Sequence, residues 1–233
     1  MKEIGYIETD FVEKFGVPRQ SGLVEGIKGK IIFRPEYRTY DAFKGLEEFS
    51  YIWLIWGFSK IKKKNWSATV KPPRLGGNKR VGVFATRSPF RPNSIGLSSV
   101  KLEKVAQEKG LGTVLYVSGV DLVHGTPIYD IKPYLAYTDS HPQAKGGFSD
   151  LVKEHKLKVE IANSIIEKIP MEERENIIGI LEQDPRPSYI EDEERIYGVT
   201  YGVYNIRFQV KINRLIVIDI ENKKLTHGTD ESI

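Results

Sequence analysis

Short β-favouring segments, evenly spaced and separated by Gly and Pro, fill the first 140 residues and limit the fold more than any other feature. Residues 4–7, 29–34, 51–59, 80–87, 98–105 and 113–120 each read as a strand. Spacing of this kind favours a closed or nearly closed sheet over βαβ units. Residues 53–59 are aromatic and almost continuously apolar, which predicts a central strand buried on both faces. Only residues 39–49 look helical in this half, with Asp41 placed to cap a first turn and Leu46 and Phe49 facing inward. The expected main domain is mostly β.

The polar, breaker-rich stretch 139–147 reads as a linker. It separates an expected β-barrel domain over residues 1–139 from a smaller domain over residues 148–233. In the smaller unit, residues 156–161 read as a strand and 165–181 as an amphipathic helix broken at Pro170. Residues 197–220 read as a hairpin that turns at Ile212-Asn213.

A chain of 233 residues, 40% apolar and 28% charged, has the composition of an ordinary globular protein able to bury a core. It has no cysteine, which excludes disulfides, thiolate metal sites, iron-sulfur clusters and a cysteine nucleophile. The longest apolar run, near residues 51–58, is too short to cross a bilayer, and the N-terminus runs straight into a strand pattern, so a cytoplasmic protein is expected. Charge is unevenly spread. Residues 1–140 hold 22 Lys/Arg against 14 Asp/Glu, whereas residues 141–233 hold 13 against 17. No acid occurs between Glu48 and Glu103, a stretch with 11 Lys/Arg. A basic stripe of this kind suits a polyanion, because neutralising phosphates releases condensed counterions.

Two loops carry the candidate chemistry. Pro72-Pro73-Arg74-Leu75-Gly76-Gly77-Asn78 leads into the run from Gly82 to Ser98, which contains Arg87, Arg91 and several Pro and Gly. Its amides and guanidinium groups can converge on phosphate or carboxylate. In the second, Gly125-Thr126-Pro127 sets a turn, after which Asp130, Lys132 and Tyr134 fall on one side of an extended strand. A third cluster, Gln183-Asp184-Pro185-Arg186-Pro187-Ser188-Tyr189, is a rigid turn in the small domain. No Gly-x-Gly-x-Gly fingerprint lies between a strand and a helix, so a Rossmann-type cofactor site is not expected.

Residues 72–135, Phe15-Gly16-Val17-Pro18-Arg19-Gln20 and Asp184-Pro185-Arg186-Pro187 together resemble the tRNA N6-threonylcarbamoyladenosine methyltransferase family, most specifically over Phe84-Ala85-Thr86-Arg87-Ser88-Pro89-Phe90-Arg91-Pro92-Asn93. The resemblance implies a mainly β fold, a single-sheeted β-barrel with a smaller C-terminal α+β domain. It also implies S-adenosylmethionine as cofactor, a homodimer, and methylation of N6 of threonylcarbamoyladenosine beside the tRNA anticodon. Carried over by position, the cofactor pocket falls on Gln20, Ser21, Gly22, Phe58, Ser59, Arg87, Leu97, Val123, His124, Gly125 and Thr126. The chain departs from the family pattern at His124, where a carboxylate is usual, and at Ser94, where Pro is usual.

Methyl transfer from a sulfonium needs no metal, and positioning alone supplies about 7–11 kcal/mol of such a barrier. The attacking nitrogen must lose a proton, for which Asp130, Asp184 and then His124 are the candidate bases. Arg19, Arg74 and Arg91 are candidates for the threonyl carboxylate, which a guanidinium matches bidentately. Lys132 stands beside Asp130, and Tyr134 and Tyr189 can stack on unpaired bases. Arg186 and Arg207 assign tRNA recognition to the small domain. Two other readings are a non-enzymatic RNA-binding β-barrel, distinguished by S-adenosylmethionine binding, and a barrel enzyme on a small anionic metabolite, distinguished by salt-dependent tRNA affinity.

Overall fold

Period-two alternation of inward and outward side chains closes the N-terminal strands into a barrel. The computed structural model describes residues 1–59, 66–75, 79–151, 153, 155–186 and 192–223. In chain order the first strands are β1 (Gly5–Thr9), β2 (Lys28–Phe33), β3 (Tyr51–Gly57), the short β4 (Thr69–Val70) and β5 (Val81–Gly82), β6 (Ile95–Glu108), β7 (Gly112–Ser118) and β8 (Thr126–Pro133). The barrel is antiparallel throughout, in the order β1-β2-β7-β6-β3-β8, and β8 returns to pair with β1. Ile7, Ile31, Ile52, Leu54, Val100, Leu115, Val117 and Ile128 fill it. Strand β6 serves two neighbours: its first half pairs with β3 and its second with β7, with a bulge between Leu102 and Lys104. The extra residue bends the strand around the barrel.

The structure corrects three sequence expectations. Strand β3 alternates, with Ile52, Leu54 and Trp56 buried and Tyr51 exposed, because an antiparallel barrel has one interior. Residues 80–87 supply only β5, which pairs with β4 outside the barrel, followed by a 3-10 turn at Val83–Ala85; β3 already has β6 and β8 as neighbours. The sixth barrel strand is β8. Residues 39–49 form 3-10 turns at Tyr40–Phe43 and Leu46–Glu48, separated by Gly45 at φ 82°, a left-handed residue that no helix continues through. Asp41 pairs with Lys44 rather than capping, and Phe43 is the buried residue.

The rest of the chain carries a one-turn helix α1 (Ala136–Asp139), then β9 (Lys158–Glu160), α2 (Asn163–Ile166), α3 (Met171–Glu182), β10 (Tyr197–Tyr201), β11 (Tyr204–Lys211) and β12 (Arg214–Asn222). The helix is in two pieces and Pro170 directly precedes the second, as the sequence predicts. The sheet runs β10-β11-β12-β9, with β9 parallel to β12. Residues 197–220 therefore hold a first turn at Gly202-Val203 besides the expected one at Ile212-Asn213, so the hairpin is a three-strand meander. The fold class is mainly β, a closed barrel with a smaller α+β unit.

The two units share one core. Phe11, fully buried, meets Tyr201 with ring centroids 5.3 Å apart, and Val24 and Ile27 from the barrel side join Ile177, Ile180 and Leu181 of α3. Asn176 donates to the Gly26 carbonyl and to the Tyr201 hydroxyl, both at 3.3 Å. Gly16 has φ 91°, and a Cβ there would strike the Val199 side chain. That contact accounts for glycine at this junction.

Candidate active site

One rim of the barrel gathers most of the chemistry. Strands β1, β3 and β7 run toward this rim and β2, β6 and β8 start from it, so residues 10–27, the described residues of 58–94 and residues 119–125 emerge there. A cavity of about 190 Å³ opens among them, lined by Lys14, Val17, Trp56, Gly57, Phe58, Ser59, Pro89, Asp121, Leu122, Val123 and Thr126. A larger groove of about 1190 Å³ lies beside it, lined by Gln20, Lys71, Arg80, Phe84, Thr86, Arg87, Phe90 and Phe148 among others. Pro89 and its loop border both. Among the described residues no acidic side chain lines the groove, most of whose lining comes from the acid-free stretch of sequence.

The arginine loop is held by its own groups. Arg91 donates to the carbonyls of Thr86 (2.5 Å) and Val83 (3.3 Å) and lies over the Phe84 ring at 5.7 Å. Thr86 Oγ1 donates to Val83 O at 2.8 Å and accepts from the Ser88 amide. This turns Arg91 inward as a staple and leaves Arg87 to reach out, where its guanidinium donates to the Gln20 side-chain carbonyl. That bond ties the 83–94 loop to the segment carrying Gln20, Ser21 and Gly22. The Gly22 amide in turn donates to Gly119 O at 2.9 Å, with Gly22 at φ 79° and Gly119 at φ 71°.

At the cavity, Phe58 packs on Trp56 with centroids 4.4 Å apart, and Thr126 is buried with its hydroxyl on Val123 O at 2.6 Å. His124 is exposed; its backbone amide donates to Phe11 O and the Gly125 amide to Ile7 O, so this turn is anchored through backbone groups. Asp121 is the residue the sequence reading missed. Ser98 Oγ donates to its carboxylate at 2.6 Å and itself accepts from Trp56 Nε1 at 3.0 Å. Burial pushes the Asp121 carboxyl up to about 6, against the pull of the Ser98 hydroxyl, the Arg87 charge and the Ser21 amide. No motif announces it, because Ser98 and Asp121 meet only when the barrel closes.

Other expected residues lie elsewhere. Asp130 and Leu97 face outward from the barrel, both opposite Ile55, and Asp130 pairs with Lys132 at 3.0 Å, largely in solvent. Tyr134 packs on the same outer face against Trp53 and Tyr51, at 5.6 and 6.3 Å. Neither Leu97 nor Asp130 lines the cavity or the groove. Arg74 lies in the turn Pro73–Leu75, with its side chain outside the described set, and Tyr189 lies outside the described residues. Arg207 is exposed on β11 opposite Asp219.

Asp184 is buried, at φ 49°, and holds Arg186 through bonds of 2.8 and 3.0 Å, with His155 at 3.3 Å. Arg19 donates to the Arg186 carbonyl at 3.3 Å and so joins the barrel side to this turn. Burial alone would push the Asp184 carboxyl up, but Arg186 and His155 outweigh it and hold it below the usual carboxylate range. A depressed carboxyl adds stability above its unfolded value, which is lost as pH falls through the folded one. Asp184→Asn keeps a residue that tolerates the left-handed region and should cost about 2 kcal/mol at pH 7. The difference from wild type should shrink below about pH 4 in denaturant titrations, and a constant deficit across that range would show that the ion pair is not its source.

A closed β-barrel that carries an aromatic-walled cavity, a carboxylate and a basic groove on one rim defines a barrel protein built to hold a small ligand beside a polyanion. Residues 6–140 match the tRNA-methyltransferase O N-terminal domain and residues 154–223 the TrmO C-terminal domain. The chain belongs to the tRNA-methyltransferase O family. It is 40% identical over 219 residues to the tRNA (adenine(37)-N6)-methyltransferase of Escherichia coli K12, spanning 90% of this chain and 92% of that one. It is 39% identical over 203 residues to RcsF of Pseudomonas aeruginosa, which is named provisionally as an S-adenosylmethionine-dependent methyltransferase; the match spans 84% of this chain and 86% of that one. The crystal structure of TrmO from Pseudomonas aeruginosa superposes with a TM-score of 0.76 at 32% identity, covering 94% of this chain and 95% of that one.

Among the described residues no group of three or more His, Asp or Glu is arranged to hold a metal, and no helix is long and apolar enough to cross a membrane.

Proposed function

We propose that this protein methylates N6 of threonylcarbamoyladenosine beside the anticodon of tRNA, with S-adenosylmethionine as methyl donor. The observation that carries the reading is the meeting, at one rim, of Gln20 and Arg87 with the cavity formed by Phe58, Ser59, Val123 and Thr126, in a chain of this family. The donor set suits the cofactor: aromatic and aliphatic walls for its nonpolar parts, a carboxylate for a cation and a guanidinium for its carboxylate. When bound, S-adenosylmethionine supplies an electrophilic methyl on a sulfonium.

The protein's own residues bind and orient. Arg87 and Gln20 line the adjoining groove, with Ser21 and Gly22 following Gln20 in the chain, and Val123 and Thr126 of the anchored turn line the cavity. The groove lined by Lys71, Arg80 and Arg87 offers positive charge for phosphates, and exposed Phe84 and Phe90 offer rings for unpaired bases. The small unit over residues 148–233 adds tRNA contacts through Arg207 and the Arg186 turn. Of the three arginines considered for the threonyl carboxylate, Arg91 is engaged by loop carbonyls and so serves the loop rather than the substrate. The working form is a homodimer joined through the outer face bearing Tyr51, Ile95 and Leu97, large apolar residues that are exposed in the single chain. Such a dimer would bring Leu97, Asp130, Lys132 and Tyr134 to a shared boundary. The protein acts in the cytoplasm, where its tRNA substrate is found.

Incubation of the protein with S-adenosylmethionine and tRNA carrying threonylcarbamoyladenosine, followed by mass spectrometry of the nucleosides, should show one methyl added to that nucleoside. An unchanged nucleoside, with tRNA bound normally and S-adenosylmethionine not bound at all, would favour a non-enzymatic RNA-binding barrel.

A further inference from the structure

We propose that Asp121 is the counter-charge for a cationic group of the bound cofactor, and so strengthens the binding of S-adenosylmethionine through charge. The inference rests on the cofactor reading above. Asp121 lines the 190 Å³ cavity together with Lys14, while Trp56, Phe58, Val17, Leu122 and Val123 supply apolar surface. Three protein groups donate to it, the Ser98 hydroxyl, the Ser21 amide and its own backbone amide. Among the described residues no Lys or Arg makes an ion pair with it within 4.0 Å. The positive charge that acts on it is that of Arg87, whose guanidinium is bonded to Gln20.

A carboxylate in largely apolar walls, with no cation paired to it within 4.0 Å among the described residues, is an unfavourable arrangement on its own, since hydrogen bonds offset only part of the desolvation. With its carboxyl at about 6 it is still mostly ionised at neutral pH. A cation that enters the cavity meets an oriented charge, held by Ser98 and indirectly by Trp56, rather than water. The Trp56 and Phe58 rings favour the same sign of charge through their faces. S-adenosylmethionine has two cationic groups, an ammonium and a sulfonium, whereas the demethylated product S-adenosylhomocysteine keeps only the ammonium. A carboxylate facing the sulfonium would therefore hold the donor more tightly than the product and help the product leave.

Calorimetric titration of full-length wild type and Asp121→Asn with each of the two compounds, at pH 8, tests this. Asp121→Asn should bind S-adenosylmethionine at least about tenfold more weakly, the order expected for losing a hydrogen-bonded charge, with a thermal midpoint no lower than wild type. A loss confined to S-adenosylmethionine places the sulfonium at Asp121, and an equal loss for both compounds places the ammonium there; either supports the proposal. Ser98→Ala keeps the charge while removing one hydrogen bond, and should bind within about threefold of wild type. If it loses as much as Asp121→Asn, pocket shape rather than charge is responsible and the proposal fails. The proposal also fails if Asp121→Asn binds S-adenosylmethionine as wild type does, even with slowed methyl transfer, which would make Asp121 a proton acceptor instead. A wild-type protein that binds neither compound would overturn the cofactor reading itself.

Discussion

Phe11→Ala should lower the stability of the whole protein by about 3–5 kcal/mol, the range for deleting a fully buried aromatic ring. Phe11 has no exposed surface, packs on Tyr201 of the small unit, and lies on the segment leaving β1 whose backbone accepts the His124 amide. Both units should lose stability together, because Val24, Ile27, Ile177 and Ile180 belong to the same continuous core. Denaturant unfolding followed by tryptophan fluorescence, which reports the barrel through Trp53 and Trp56, and by far-ultraviolet dichroism should give coincident curves shifted to lower denaturant. Two separated transitions, with only one moved, would mean that the units fold independently. A chain truncated after Asp139 would uncover Phe11, Val24 and Ile27, so it is expected to be poorly soluble, and point changes are the better probe of the division of labour.

Arg87→Ala should weaken S-adenosylmethionine binding by about one to two orders of magnitude, the equivalent of a charge-assisted hydrogen bond or two. Two losses act together. The guanidinium facing the groove disappears, and so does the bond to Gln20 that holds residues 20–22 against the 83–94 loop. Arg87→Lys retains the charge but not the fork, and is expected to recover only part of the affinity. Both are read by calorimetry on the folded variants. Wild-type affinity in Arg87→Ala would remove the groove from the cofactor site and leave it to the tRNA alone.

The barrel was legible in the sequence because alternation and Gly/Pro punctuation are local signals. Five of the six barrel strands coincide with segments read from them, and Pro170 and Ile212-Asn213 fall at the expected break and turn. Residues 80–87 misled because Val81, Val83 and Phe84 carry strand propensity, while the partner that decides strand pairing, β4, is only two residues long. β8 was read as an extended strand after the Gly125-Thr126-Pro127 turn but not counted among the barrel strands, since Pro127 and Pro133 bound it and Asp130 and Lys132 interrupt its apolar pattern. The site followed the same division. Its loop motifs stood out in sequence, but their mutual contacts did not: Arg91 and Arg87 look equivalent in the chain, yet one folds back on Thr86 O and the other reaches Gln20. Asp121 was invisible because its neighbours Ser98 and Trp56 are 23 and 65 positions away, and only barrel closure unites them.

The raised Asp121 carboxyl sets evolution a conflict between endurance and recognition. A group whose folded pKa is about 6 against an ordinary 3.8 penalises the folded state increasingly as pH rises through that window, by an amount on the order of 3 kcal/mol above it. A screen that rewarded heat resistance alone would therefore favour Asp121→Asn, and lineages adapting to high temperature under selection for the ligand would have to find their added stability elsewhere, most simply in the shared core beneath Phe11.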